Sequence, residues 1–181
     1  MKKGKIKVVF SILTIAFIVS CAGVQVDPND PNAHLIQGVK RAYQGPMQCA
    51  AACLTMVLRY YNVDASMNKI DSEIRSGSGG VGCWALEAYA FRDFRTESFI
   101  ASDVEEVKEY ISKEIPLIAR VYSESRPGGC HYVVLVGYTG KGFIINDPIR
   151  GRRFKSYQAF QKWHSCSFFG CGPYWTLAIY R

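Results

Sequence analysis

Cys49 and Gln44 lie five residues apart in the stretch Gln44-Gly-Pro-Met-Gln-Cys49-Ala-Ala-Ala-Cys-Leu-Thr-Met-Val-Leu-Arg-Tyr-Tyr61. Both residue types serve acyl chemistry. A thiol where a helix begins feels the positive end of the macrodipole, which favours the thiolate. A glutamine amide just upstream can donate to the oxyanion formed when that thiolate attacks a carbonyl. Gln48, next to the cysteine, is the alternative donor. Such a nucleophile needs a base, and the base needs an acid to orient it. The chain has three histidines. His131 opens an apolar run directly after Pro127-Gly-Gly-Cys130, and Asp147 ends the next such run. Two strands joined by a tight turn pair antiparallel, which makes His131 and Asp147 neighbours. Taken singly, each has a bland reading: a small core cysteine, a structural histidine, an Asp-Pro turn. Their conjunction in one chain points to a catalytic triad of Cys49, His131 and Asp147, with Gln44 in the oxyanion hole.

The elements that must hold these residues follow from periodicity. Ala50, Cys53, Leu54, Val57, Leu58 and Tyr61 recur at the spacing of a helix with one face on a core, and Cys49 falls in its first turn. Residues 84–91 read as a second helix. Ser102-Asp-Val-Glu105 is a capping-box pattern opening a helix that runs to about Lys113. The period then changes. Residues 116–122, 131–138 and 143–146 are rich in β-branched and aromatic residues and predict strands, with Thr139-Gly-Lys-Gly142 as the turn between the last two. Residues 157–163 predict a short helix and 175–180 a final strand. Helices first and an antiparallel sheet second is an α+β arrangement.

The 181 residues, 49% hydrophobic and 20% charged, suit one globular domain. The formal charge of +7 is concentrated at the start: Lys2, Lys3, Lys5 and Lys7 lie in a segment without acids. Setting those four aside leaves 18 of the 22 basic residues against 15 acidic ones, or +3. That is too mild a charge to argue for nucleic acid. The lysines precede an apolar run from Val8 to Val19, the pattern of a signal peptide, and the run is too short for a confident membrane span. It ends at Ile18-Val19-Ser20-Cys21, which resembles a bacterial lipobox. The expectation is a lipoprotein signal over residues 1–20, lipidation at Cys21, a Pro/Asn/Asp-rich tether over 21–36 and a catalytic domain over 37–181. This places the protein at the cell envelope, held to the membrane by its lipid; an ordinary signal peptide is the alternative.

Three stretches carry a family resemblance. Gln44 through Tyr61 is similar to a Gln…Cys-Gly-x-Ala-x-Leu-x-Met…Tyr-Tyr block. His131-Tyr-Val-Val-Leu-Val-Gly-Tyr138 is similar to a His-x-Val-Val-x-x-Gly strand, and Ile144-Ile-Asn-Asp147-Pro148 to an Asp-Pro ending. Together, over about residues 37–181, they resemble the bacteriocin-processing, double-glycine leader type of papain-like cysteine peptidase, in a stand-alone form. The resemblance implies a papain-like fold, no cofactor, Cys49 as nucleophile, His131 as base and Asp147 as orienting acid. It implies a peptide or protein substrate cleaved after a Gly-Gly-type leader, and a peptide export system as partner. Ala50 stands where the family has glycine. Two other functions fit the same residues: a cell-wall amidase or acyl transferase on this triad, and a peptide-binding module without catalysis.

Beyond Cys21 and Cys49, five cysteines remain: Cys53, Cys83, Cys130, Cys166 and Cys171. An exported chain permits disulfides, and an odd number leaves at least one thiol over. Cys166 and Cys171 could close a small loop between them, but the sequence leaves the pairing of these cysteines open; Cys53 reads as a buried thiol. A zinc reading from His164, Cys166 and Cys171 with Cys130 or His131 matches no strong spacing, so no metal is expected.

Overall fold

The computed structural model describes residues 26, 30–77, 80–167 and 171–181. Cys21 and the apolar run before it lie outside the described residues. The described residues form a mixed α+β unit in which five helices pack on an all-antiparallel sheet. The sheet order is β2 (Arg95–Ile100), β7 (Trp175–Tyr180), β3 (Leu117–Tyr122), β4 (Cys130–Thr139), β5 (Gly142–Asp147), β6 (Gly151–Ser156), with β1 (His34–Leu35) paired to the far end of β4. The helices are α1 (Cys49–Tyr60), α2 (Met67–Ile74), α3 (Cys83–Ala90), α4 (Val104–Ser112) and α5 (Tyr157–His164).

β4 is the centre of the domain. Residues 131–137 are all buried, and β3 and β5 flank it along its length. The ladder slips between Leu135 and Gly137, so a bulge ends the regular register there. Gly137 is obligatory at that point: a Cβ would sit 2.6 Å from the His34 carbonyl oxygen of β1. His34, Leu35 and the buried Ile36, assigned to the tether by composition, therefore belong to the folded unit.

α1 differs from the one-sided helix its spacing suggests. Ala51, Ala52, Thr55 and Met56 are as buried as the expected stripe. Three consecutive alanines let neighbours approach closely, and α2 covers the face that β4 does not. Thr55 tolerates this burial because its hydroxyl donates to the Ala51 carbonyl at 2.8 Å. α4 begins one residue later than the capping box implies: Asp103, not Ser102, is the N-cap, and its carboxylate accepts from the Glu105 N–H.

The turn before α1 is pinned from α2. Met47 adopts φ +61°, a left-handed conformation costly for a side chain with a Cβ. Arg75, just past α2, donates from Nη2 to the Met47 carbonyl at 2.6 Å while pairing with Asp71 through both Nη2 and Nε. Gln48 completes the clamp: its Oε1 accepts the Gly45 N–H at 3.0 Å and its amide reaches Asn68 and Asp71.

Among the described residues two disulfides form, Cys83–Cys171 and Cys130–Cys166, so Cys166 and Cys171 do not close a loop on each other. The reason is spatial. At the two described ends of the segment after α5, Cys166 meets Cys130 at the start of β4 and Cys171 meets Cys83 at the start of α3, partners distant in sequence. Arg120 braces the same segment, donating from Nη2 to the carbonyls of Cys166, Cys171 and Gly172. Among the described residues, Cys49 and Cys53 are free thiols.

Two outcomes follow from these features. Non-reducing peptide mapping is expected to recover Cys83 linked to Cys171 and Cys130 linked to Cys166; a Cys166–Cys171 peptide contradicts the fold. Replacing Cys130 and Cys166 together by alanine should lower unfolding free energy by about 2–4 kcal/mol, since the bridge closes a long loop. Separately, Arg75→Ala should cost about 1–2 kcal/mol in urea denaturation, and adding Met47→Gly should recover part of it, because glycine accepts positive φ without strain.

Candidate active site

Cys49 is the first residue of α1, with Gln48 at the N-cap. The helix's first backbone bond runs from the Ala52 N–H to the Gln48 carbonyl at 2.9 Å. The Cys49 N–H donates to no backbone carbonyl among the described residues. It is one of the open donors that every helix start presents, and it sits beside the half-buried Cys49 thiol.

His131 and Asp147 come from β4 and β5. The register pairs Val134 with Asn146 and Leu135 with Ile145. Continued in step, it sets Asp147 opposite Val133, two residues from His131. The pair is thus diagonal on one sheet face, not directly opposite, which long side chains can bridge. His131 Nε2 lies 3.0 Å from Asp147 Oδ1, and both residues are buried. Oδ1 also accepts the backbone N–H groups of Ile149 at 2.8 Å and Arg150 at 3.3 Å, and Oδ2 accepts from Arg153 at 3.1 Å. Burial opposes the charged carboxylate, but the bonds from His131, Ile149 and Arg153 outweigh it and hold Asp147 at about 2. Burial likewise opposes the charged imidazole; the hydrogen bonds with Asp147 and Cys49 prevail and raise His131 to about 9. With Nε2 taken by Asp147, Nδ1 is the ring nitrogen left for the thiol.

Of the other histidines, His34 pairs with Glu114 at 2.7 Å on β1. His164 is buried against the Trp175 carbonyl and Thr176, where burial holds it near 4 and neutral. Neither is placed at the thiol. Cys53, one turn beyond Cys49, is fully buried, and that burial pushes its thiol well up.

A cavity of about 400 Å³ opens beside Cys49 and His131. Gln44 and Ala50 line it; Gln48 does not. Gln44 is tied in place by its backbone N–H, which donates to the Pro148 carbonyl at 3.1 Å, directly after Asp147. Its Nε2 rests on the Gly45 carbonyl at 3.2 Å, and its Oε1 is buried without a hydrogen-bond partner. Gln48 is instead occupied with the turn and α2. The other wall is the loop joining β3 to β4, residues 123–129. Ala50 adds its methyl to this cavity, so the departure from glycine falls where a substrate would approach.

Sequence reasoning missed Arg153. It bridges Asp147 to Glu124, whose carboxylate also takes Lys155 at 2.8 Å and Arg150 at 3.3 Å. The bonds from Arg153, with those of Lys155, overcome burial and hold Glu124 at about 2. Alternation in Arg153-Phe-Lys155 is the one signal, and it becomes visible only once β6 is known to pair with β5. The cysteines of the zinc reading, Cys130, Cys166 and Cys171, are all bound in disulfides.

Comparison with known proteins bears on the fold and the family. The family model described as Peptidase_C39-like matches residues 36–169. The lactococcin-G-processing and transport ATP-binding protein LagD of Lactococcus lactis subsp. lactis is 26% identical over 120 residues, which is 66% of this chain and 16% of that much longer relative. Among solved structures, a C39-like peptidase from Bacillus anthracis matches with a TM-score of 0.66 and 16% identity, covering 82% of this chain and 98% of its own. The peptidase domain of Streptococcus ComA matches with a TM-score of 0.64 and 20% identity over 79% of this chain and 99% of its own. A double-glycine-motif protease from an AMS/PCAT transporter, solved with its leader peptide, matches with a TM-score of 0.61 and 20% identity over 81% and 93%. At those identities the structures attest the fold, while the family model spans most of the chain: it belongs to the Peptidase_C39-like family and is a cysteine peptidase.

Proposed function

We propose that Cys49, His131 and Asp147 form the catalytic triad of this peptidase, and that it cleaves peptides after a Gly-Gly-type leader. The observation that carries the triad is the buried His131–Asp147 pair, with His131 hydrogen-bonded to the free Cys49 thiol at a helix start. His131 takes the thiol proton, giving a thiolate–imidazolium pair that Asp147 stabilises through Nε2. The thiolate attacks the scissile carbonyl. The Cys49 N–H and the Gln44 side-chain amide hold the resulting oxyanion. His131 gives its proton to the leaving amine, and the acyl-enzyme is then hydrolysed by a water that His131 deprotonates. Gln44 is supported over Gln48 because it lines the cavity, whereas Gln48 is bonded to Gly45, Asn68 and Asp71.

The leader specificity rests on the family and on the relatives, one of which holds a leader peptide and another of which is named for processing and transport. Glycines suit the cleft, since Met47 and Arg126 meet across it at 3.8 Å. An export system is the matching partner. The basic, apolar start of the chain and two disulfides support an exported protein anchored through a lipid on Cys21, with residues 21 onward as its mature form.

Cleavage of a synthetic Gly-Gly leader peptide, followed by mass spectrometry, tests the reading. Cys49→Ala should abolish product. Gln44→Ala should lower kcat by about 10²–10³, with Gln48→Ala far milder. The alkaline limb of kcat/KM should fall near pH 9, where His131 loses its proton, and Asp147→Asn should shift that limb to lower pH because the bond that raises His131 is weakened. Residual cleavage by Cys49→Ala at the parent rate contradicts the assignment. For the anchor, metabolic labelling with a tagged fatty acid should mark the parent and not Cys21→Ser; equal labelling of the two refutes lipidation at that position.

A further inference from the structure

The cavity beside Cys49 has a one-sided charge. Among the described residues its lining holds two arginines, Arg120 and Arg126, and no aspartate or glutamate. The carboxylates nearby are already satisfied. Glu124, on the same loop as Arg126, is shared by Arg150, Arg153 and Lys155. Asp147 is enclosed by His131, two backbone N–H groups and Arg153. Among the described residues that line the cavity, none is an acid that could cancel a cation there.

Arg126 is that cation. Arg120 donates to the carbonyls of the disulfide-bonded segment, so its guanidinium is part of the cavity's back wall. Arg126 is exposed and has no ion pair among the described residues; its guanidinium rests instead on the Met47 sulfur at 3.8 Å, across the mouth of the cavity. The arginine is positioned rather than trailing in solvent. Its backbone N–H donates to Ser123 Oγ at 3.1 Å, its carbonyl accepts the Gly129 N–H at 3.0 Å, and Ser123 and Gly129 close the loop at 2.8 Å. A cation held over a thioether beside a cleft is poorly compensated until an anion arrives. Concave walls strengthen the attraction by excluding part of the solvent.

Resting on the peptidase reading above, we propose that this cleft selects peptides carrying an acidic side chain within a few residues of the scissile bond, and that Arg126 is the residue that reads it. The guanidinium fork matches a carboxylate in two-point geometry, which a lysine would not reproduce.

The test uses a capped Gly-Gly leader peptide with no free C-terminal carboxylate and one variable position, scanned across the residues flanking the scissile bond as Glu, Gln or Lys. Two readouts are taken: kcat/KM with the parent enzyme, and binding to the full chain carrying Cys49→Ala. At one position or more, Glu should exceed Gln by about three- to tenfold in both readouts, Lys should be the weakest, and the preference should shrink with added salt. Arg126→Gln should bring the Glu-to-Gln ratio close to one, Arg126→Lys should keep only part of it, and Arg126→Glu should favour the Lys peptide. A ratio near one at every position, or a preference that Arg126→Gln leaves intact, overturns the proposal. The binding arm judges it even if the Gly-Gly peptide is not cut, so failure of the charge preference is separable from failure of the triad.

Discussion

A charged pair in the interior, His131 with Asp147, sets the terms for the rest of the molecule. Burying two ionic groups is unfavourable unless every lone pair and proton is engaged. Here Asp147 accepts from the imidazole, two backbone N–H groups of the turn that follows it, and Arg153. Each donor has a structural cost that the fold meets. The turn exists because Pro148 ends β5 directly after the aspartate, and Arg153 reaches back because β6 pairs with β5 in register. Glu124 then holds Arg153 from the loop that forms the cavity wall. The charge network thus runs from His131 outward to the loop that walls the cavity.

The Cys49 thiol is fixed by a different mechanism, from the helical layer. α1 is buried on all sides, so its first turn cannot drift without disturbing the core. The strained Met47 turn is held by Arg75 and Gln48, both bonded to α2. Gln44 joins the two halves, since its backbone bonds to the residue after Asp147 while its side chain lies on the cavity beside Cys49. The disulfide from Cys130 fixes the residue directly before His131. Thiol and imidazole are therefore brought together by independent parts of one core.

The features that proved legible in the sequence were those written in local pattern. The helix after Cys49, the β4–β5 hairpin and the short α5 all show in periodicity and turn chemistry, and chain order alone made His131 and Asp147 neighbours. What escaped lacks local signal. α2 buries only Ile70 and Ile74. β2 and β6 carry mostly polar residues, as suits strands at the sheet's edges. The disulfide pairing was not legible, because short spacing suggests Cys166 with Cys171, whereas the fold carries each to a partner far away in sequence. Arg153, Arg75 and Arg126 gained meaning only with geometry, because an arginine in a basic chain resembles any other until its partners are seen.

The central claim is that Cys49 reacts as a thiol activated by His131. Its most direct measurement is the rate of alkylation by iodoacetamide, resolved by residue with peptide mass spectrometry, across pH 5 to 9 in the parent and in His131→Ala. The account predicts label on Cys49 and not on the buried Cys53, with appreciable rate already near pH 6 that His131→Ala removes. Equal Cys49 rates at pH 6 in the two proteins would contradict it.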